Sequence, residues 1–359
     1  MKAPDIISLG RLKHGRTNSI SDVEGVTVGH VTLVEGKGFL KSGKGPVRTG
    51  VTAIIPHQGN IYKEKLFAST FVLNGYGKPV GVVQVEELGV METPIILTNT
   101  LSVGVAADAL IQYMLRKNED IGVTTGSVNP IVMECNDSYL NDIRGGHIKS
   151  EHILEAVENA GTRFEEGSVG AGTGMSAFEF KGGIGTSSRI CDIMENKFTV
   201  GALVLSNFGK REDLTIAGAP VGKELKDWQG KGEAKGSIIM VIATDAFVNS
   251  HQLKRIARRA VIGLARTGGN AYDGSGDIVL AFSTAQKIPH CHRDFLHIKL
   301  LPDDHLDMLF IATIEAVEEA IINSLLKAKT MDGRDNRVRY QLPHDRLIQI
   351  MEKYGRLNK

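Results

Sequence analysis

Four short runs rich in β-branched and apolar residues, at 51–55, 198–205, 238–243 and 278–282, constrain the fold of this chain more than any other feature. Each is of strand length and is bounded by glycine or proline, a pattern of buried strands more than of helices. Helical periodicity, with apolar residues recurring every three to four positions, marks 103–115, 152–159, 252–265 and, most strongly, 306–327. Asp303 and Asp304 are cap candidates for the last of these. Strands, then helices, then strands again predict a layered α/β arrangement in which helices cover sheet faces. No repeat, low-complexity tract or Pro-rich linker divides the 359 residues, so the expectation is a single domain over 1–359.

The 42 Lys and Arg residues balance 41 Asp and Glu, for a formal net charge of +1. That argues against a whole-chain basic field for nucleic acid or an anionic membrane. The apolar runs fall far short of a spanning helix, and residues 1–15 carry charges and a proline in place of a leader-type apolar stretch. The expectation is a soluble, cytoplasmic protein without membrane or nucleic-acid partners. Cys135, Cys191 and Cys291 are too few and too scattered for a disulfide framework, which fits a reducing compartment. Glycine, 41 of 359 residues, exceeds the usual share of roughly 7% and predicts many tight turns and close backbone approaches.

Several catalytic signatures are missing, among them G-x-S-x-G, H-E-x-x-H and a Walker A loop. The glycine cluster at 167–174 lacks the lysine of a phosphate cradle and reads as tight structural turns. His290, Cys291 and His292 are adjacent, but neighbouring side chains on an extended chain point to opposite faces, so they read as loop residues and no metal is expected. Lys254, Arg255, Arg258 and Arg259 face away from Leu253, Ile256, Ala257, Ala260 and Val261 on one helix. On a chain of nearly zero net charge, that basic stripe reads as solvated or paired, not as a nucleic-acid contact. Residues 224–236 are polar, carry three glycines and the single tryptophan, Trp228, and read as an exposed loop running into the 238–243 strand.

At that junction Gly236 precedes Ser237. A serine at a strand start can attack its own preceding carbonyl and end with a free α-amine beside its hydroxyl. Such an amine has a pKa of roughly 7.7–8.0 and can take the hydroxyl proton without a histidine. Gly-Ser pairs are common, so the junction alone carries little weight. Its company carries more: GSIIMVIATDA at 236–246, HQLKRIARR at 251–259, GLARTG at 263–268 and GSGDI at 274–278 follow in order. Upstream stand NSISDVEGVTVGH at 18–30, ECND at 134–137, GAGTG at 170–174 and SNFG at 206–209. Together these segments, spread over nearly the whole chain, resemble the DmpA/BapA family of self-cleaving serine aminopeptidases.

The resemblance implies a cut between Gly236 and Ser237, giving an α piece, 1–236, and a β piece, 237–359, that stay folded together. It implies Ser237 as nucleophile for both self-cleavage and turnover. Ser275 and Asp277 match the family's second serine and an acidic residue that orient the nucleophile and relay protons. Some relatives carry glutamate there, and Asp277 is one methylene shorter. Residues two apart on an extended segment share a face, which suits a joint role. Asn207 matches the oxyanion donor, and Glu134 the carboxylate that pairs with the free amine of the substrate. Tyr139 is the nearest tyrosine to the family's oxyanion tyrosine, a role left open here. The implied fold is an αββα sandwich, two β-sheets between helical layers, similar to N-terminal-nucleophile hydrolases with different connectivity. The implied protein is a homo-oligomer, commonly a tetramer of α/β units, without metal or organic cofactor. Its implied substrates are short peptides, amides or esters with a free amine. The alternative is an uncleaved, non-catalytic binding or scaffold member of the same fold.

Overall fold

The apolar run at 238–243 lies in a strand, Ser237–Thr244, that is buried at every position. Ile238, Met240 and Ile242 enter one core cluster, with Leu253, Ile256 and Ala257 of a helix. Ile239, Val241 and Ala243 enter another, with Leu97 and Met133 of a second sheet. A strand covered on both faces needs no polar alternation, which is why its sequence is apolar without a break.

This computed structural model describes residues 1–230, 236–291 and 294–358. In chain order, the strands of the two main sheets are β1 Thr27–Glu35, β2 Val47–Ile55, β3 Glu64–Gly75, β4 Val90–Met91, β5 Ile95–Asn99, β6 Ile131–Cys135, β7 Gly183–Ile193, β8 Asn196–Asn207, β9 Ser237–Thr244 and β10 Gly276–Pro289. One sheet has the order β1-β2-β5-β6, the other β4-β3-β10-β9-β8-β7. β9 pairs antiparallel with β8 and parallel with β10, so it sits in the middle of its sheet.

Helices α1 Val103–Lys117 and α2 Ser150–Glu158 bury Ala106, Leu110, Ile153 and Ala156 against Val51, Ala53, Ile96 and Val132 on the outer face of the four-stranded sheet. Helices α3 Ser250–Arg266 and α4 Asp307–Lys327 cover the outer face of the six-stranded sheet. The inner faces of the two sheets meet through Ile54, Leu97, Met133, Leu205, Ile239 and Leu280. The order of layers is helices, sheet, sheet, helices, as expected.

The basic stripe of α3 is engaged locally. Lys254 pairs with Glu86, and Arg255 with Asp303 at 2.8 Å. Arg258 lies over Phe71 and Arg259 over Phe310, 3.9 Å from the ring centre. The glycine cluster does form a tight turn: a 3-10 turn spans Gly170–Gly172, and Gly170 has φ 53°, where an added Cβ would come within 2.4 Å of Thr52 Oγ1.

Two expectations are corrected. Asp303 and Asp304 do not cap α4, whose N-cap is Leu306 without a side-chain cap bond. Asp303 instead accepts from Gln252 Nε2 at 2.7 Å and ties α3 to this corner. Trp228 is half-buried against the core, unlike the exposed Lys226, Asp227 and Gln229 of the same expected loop, because the nearby Leu225 is buried and the Trp228 carbonyl accepts from Arg211. The remainder of that loop, 231–235, and His292 lie outside the described residues. His290 stacks on Tyr62 at 4.4 Å. Among the described residues no group of three or more His, Cys, Asp or Glu is placed to hold a metal ion, and no helix is long and apolar enough to cross a membrane.

Candidate active site

Strand register brings the predicted residues together. Ser237, the first residue of β9, pairs with Asn207, the last of β8. On the other side, Ile238 pairs with Asp277 of β10. Glu134 lies near the end of β6 in the facing sheet. Ser237, Gly236, Asn207 and Glu134 border one cavity of about 270 Å³, together with Tyr76, Lys78, Thr100, Tyr139 and Arg337. Ser275 and Asp277 lie just beyond, in a smaller hollow that Gly236 also borders. A wider, more open hollow of about 850 Å³ lies between the chain termini, lined by Leu9, Gly218, Arg266, Glu318 and Arg356. It offers no nucleophile beside an acid–base group: Ser8 Oγ bonds to Asn358, and Arg266 pairs with Glu318.

The predicted residues around these two hollows are held by neighbours. Ser237 Oγ accepts from the Gly276 amide at 3.0 Å, and Ser275 Oγ donates to Asp277 Oδ1 at 2.7 Å. Asn207 Oδ1 accepts from the Ser176 amide at 2.9 Å, and its Nδ2 donates to the Asn136 carbonyl at 2.9 Å. A carboxamide carries two N–H groups, so one remains for a ligand. Glu134 Oε1 accepts from the Lys78 amide at 2.9 Å, and Oε2 from the Thr100 hydroxyl. Gly236 must be glycine: a Cβ there would fall 1.5 Å from the Asn207 carbonyl oxygen.

Burial sets the electrostatics. Desolvation raises Asp277 above the usual carboxylate value, opposed by hydrogen bonds from the Ser275 side chain and the Ile238 backbone. Asp137, just beyond the end of β6, is pushed up to about 7 by complete burial, against hydrogen bonds from Thr49 and Asn141 and helped by the charge of Glu134. Burial drives the Cys135 thiol well above its ordinary value, with Glu134 and Asp277 adding to the rise, so this cysteine is no thiolate nucleophile. Ser237, the nucleophile candidate from the sequence, borders the cavity with its hydroxyl bonded to the Gly276 amide.

A profile described as peptidase family S58 matches residues 18–339, nearly the whole chain. The chain belongs to peptidase family S58. This S58 chain is 42% identical to the beta-peptidyl aminopeptidase BapA of Sphingosinicella microcystinivorans, over 96% of this chain and 90% of that one. The crystal structure of the PH0078 protein from Pyrococcus horikoshii OT3 superposes with a TM-score of 0.97 at 66% identity, covering 99% of this chain and all of that one. The L-aminopeptidase D-Ala-esterase/amidase from Ochrobactrum anthropi, described as a prototype for the serine aminopeptidases and a new variant of the Ntn hydrolase fold, superposes with a TM-score of 0.92 at 37% identity over 99% of each chain. The S58 chain is therefore a serine aminopeptidase, a hydrolase of peptide and amide bonds, on this variant of the Ntn-hydrolase architecture.

Sequence reasoning missed the supporting residues. Thr100 and the Lys78 amide hold Glu134, and Ser176 orients Asn207. Tyr139 lies under two guanidinium groups, 3.7 Å from Arg339 and 5.1 Å from Arg337. These two arginines come from the short hairpin strand Val338–Arg339 and the residue before it, about 100 residues beyond Ser237. No local spacing signals such long-range contacts.

Proposed function

We propose that this S58 aminopeptidase cleaves itself between Gly236 and Ser237 and then removes N-terminal residues from short peptides, amides or esters through an acyl-enzyme on Ser237. The observation that carries this reading is the Gly236–Ser237 bond itself, which borders the cavity shared with Asn207 and Glu134. In self-cleavage, Ser237 Oγ attacks the Gly236 carbonyl, the acyl group moves from nitrogen to oxygen, and water hydrolyses the ester. The products are a carboxylate on Gly236 and a free amine on Ser237, with an α piece, 1–236, and a β piece, 237–359.

In turnover, that amine takes the Oγ proton as the hydroxyl attacks the substrate carbonyl. The remaining Asn207 N–H donates to the oxyanion, a contact typically worth about 2.7–4 kcal/mol in the transition state. Asp277, with Ser275 bonded to it, orients the nucleophile and relays the proton to the leaving amine. Water then releases the acyl group. Glu134 receives the substrate ammonium. Among the described residues it has no cationic partner within ion-pair distance, so an incoming ammonium completes its charge balance. The enzyme acts in the reducing cytoplasm, a reading supported by three free cysteines, and as a homo-oligomer, as the resemblance to the self-cleaving serine aminopeptidases implies.

Mass spectrometry of purified protein tests the core of this reading. Two fragments that meet at 236/237 are expected, and Ser237→Ala is expected to abolish both the cut and aminopeptidase turnover. An active preparation in which residue 237 stays amide-linked would overturn it. One uncut chain without hydrolysis of amino-acid amides would favour the binding-protein alternative.

A further inference from the structure

We infer that Arg337 binds a carboxylate of the substrate, so that the preferred substrates of this aminopeptidase are short peptides carrying a free carboxylate. This rests on the cavity proposed above as the active site. Its lining includes three positively charged side chains, Lys78, Arg337 and Arg339, against one carboxylate, Glu134. At about 270 Å³ the cavity is smaller than the roughly 300–1,000 Å³ of sites for drug-sized ligands. A substrate of one or two residues would fill it, and any carboxylate it carries would lie against the wall. A carboxylate removed from water needs a charged hydrogen-bonding partner there.

Arg337 is the cation best placed for that task. Arg339 is buried, with Nε donating to Ser176 Oγ at 3.0 Å and Nη1 to the Gly230 carbonyl at 2.9 Å. The Lys78 ammonium lies over the exposed ring of Tyr76, 5.0 Å from its centre. Arg337 is half-buried, with its guanidinium carbon 5.1 Å from the centre of the Tyr139 ring, and makes one long bond from Nη1 to the Tyr139 carbonyl at 3.4 Å. Asp335, which feels its charge, is bridged to Arg334 instead. Arg337 Nε and Nη2 have no acceptor among the described residues. That edge has the fork geometry of bidentate carboxylate binding. Glu134 and Arg337 would then recognise opposite charges on one small zwitterionic molecule.

The carboxylate can belong to the leaving residue of a dipeptide or to an acidic side chain on the first residue, and the test separates the two. Wild type, Arg337→Gln and Arg337→Lys are assayed on a dipeptide Xaa-Ala and its C-terminal amide, Xaa being the residue cleaved best as a p-nitroanilide. The same enzymes are assayed on Glu- and Gln-p-nitroanilide. In wild type, kcat/KM is expected to favour the free dipeptide over its amide by about tenfold or more. In Arg337→Gln that ratio is expected to fall toward one, through KM, and Arg337→Lys is expected to restore part of it. Loss of a Glu-over-Gln preference instead assigns the carboxylate to the first side chain and supports Arg337 equally. If Arg337 merely props Tyr139, every substrate slows alike and both ratios stay at the wild-type values, which overturns the inference. A wild type that hydrolyses none of these substrates sinks the catalytic reading itself, a distinguishable failure.

Discussion

Two buried groups of carboxylates in this molecule are treated in opposite ways. Under α4, Glu315 and Glu319 receive Arg189 through Nε at 3.2 Å and Nη2 at 2.7 Å, and Glu315 also accepts from the Arg11 and Leu12 amides. One guanidinium bridges both carboxylates there within the protein, so the cluster ties β7, α4 and the N-terminal segment into one unit. Around the cavity, Glu134 and Asp277 are held by amides and hydroxyls, with no arginine or lysine in ion-pair contact among the described residues. Neutral donors fix the position of a carboxylate without neutralising it. The first arrangement is closed and structural; the second leaves an electrostatic opening that a substrate ammonium can fill.

Exchanging single atoms across the two clusters breaks the contrast if it is wrong. Glu319→Gln is expected to lower stability by about 3 kcal/mol in urea unfolding, because it strips charge from a buried pair, while turnover per folded molecule persists. Glu134→Gln is expected to do the reverse, with little change in the urea midpoint. For substrates with a free amine, its kcat/KM is expected to drop by roughly 30-fold or more, in line with the roughly 2–5 kcal/mol of a truncated buried charge pair. If both variants lose stability equally, the distinction fails. Asn207→Ala is expected to lower kcat by about 100- to 1,000-fold while KM changes little, read by steady-state kinetics.

The smaller effects concern pH. Asp137, held near 7 when folded and 3.8 in an ordinary setting, is protonated in both states at low pH and charged in both at high pH. Between those values the folded state binds the extra proton, so this residue destabilises progressively as pH rises from about 4 to about 7. Asp137→Asn is therefore expected to gain stability relative to wild type across that window, by a few kcal/mol at most, and the gap is expected to be flat above about pH 8. Melting curves at about pH 5 and about pH 8 measure it. For Asp277, raised by desolvation, the acid limb of kcat/KM is expected to lie above the usual carboxylate range and to vanish in Asp277→Asn. A limb unmoved by that substitution assigns it elsewhere.

The strands and helices were legible because their periodicity is written in contiguous residues. The 238–243 run is apolar at every position since both sides of β9 are covered, and 103–115 sits within α1 because one stripe of it meets the four-stranded sheet. Ser275 and Asp277 were legible as partners because two positions along an extended chain share a face, and they do bond to each other. The order of strands was not legible: β9 pairs parallel with β10 across α3, which no local pattern encodes. The same limit hid Arg337 and Thr100, which reach the cavity from elements far from Ser237 in sequence. The aspartates before α4 misled because a capping residue type was present, while Gln252 and Arg255 of another helix claimed Asp303.

Because β9 is hydrogen-bonded along both edges, the residue that begins it cannot drift when the chain before it moves or is severed. Amide protons of 239–243 should accordingly be among the last to exchange with deuterated water, released only when the molecule opens as a whole. The Ser237 hydroxyl is thus moored to a strand held on both sides, and adaptability toward substrates is expected from the opposite wall of the cavity.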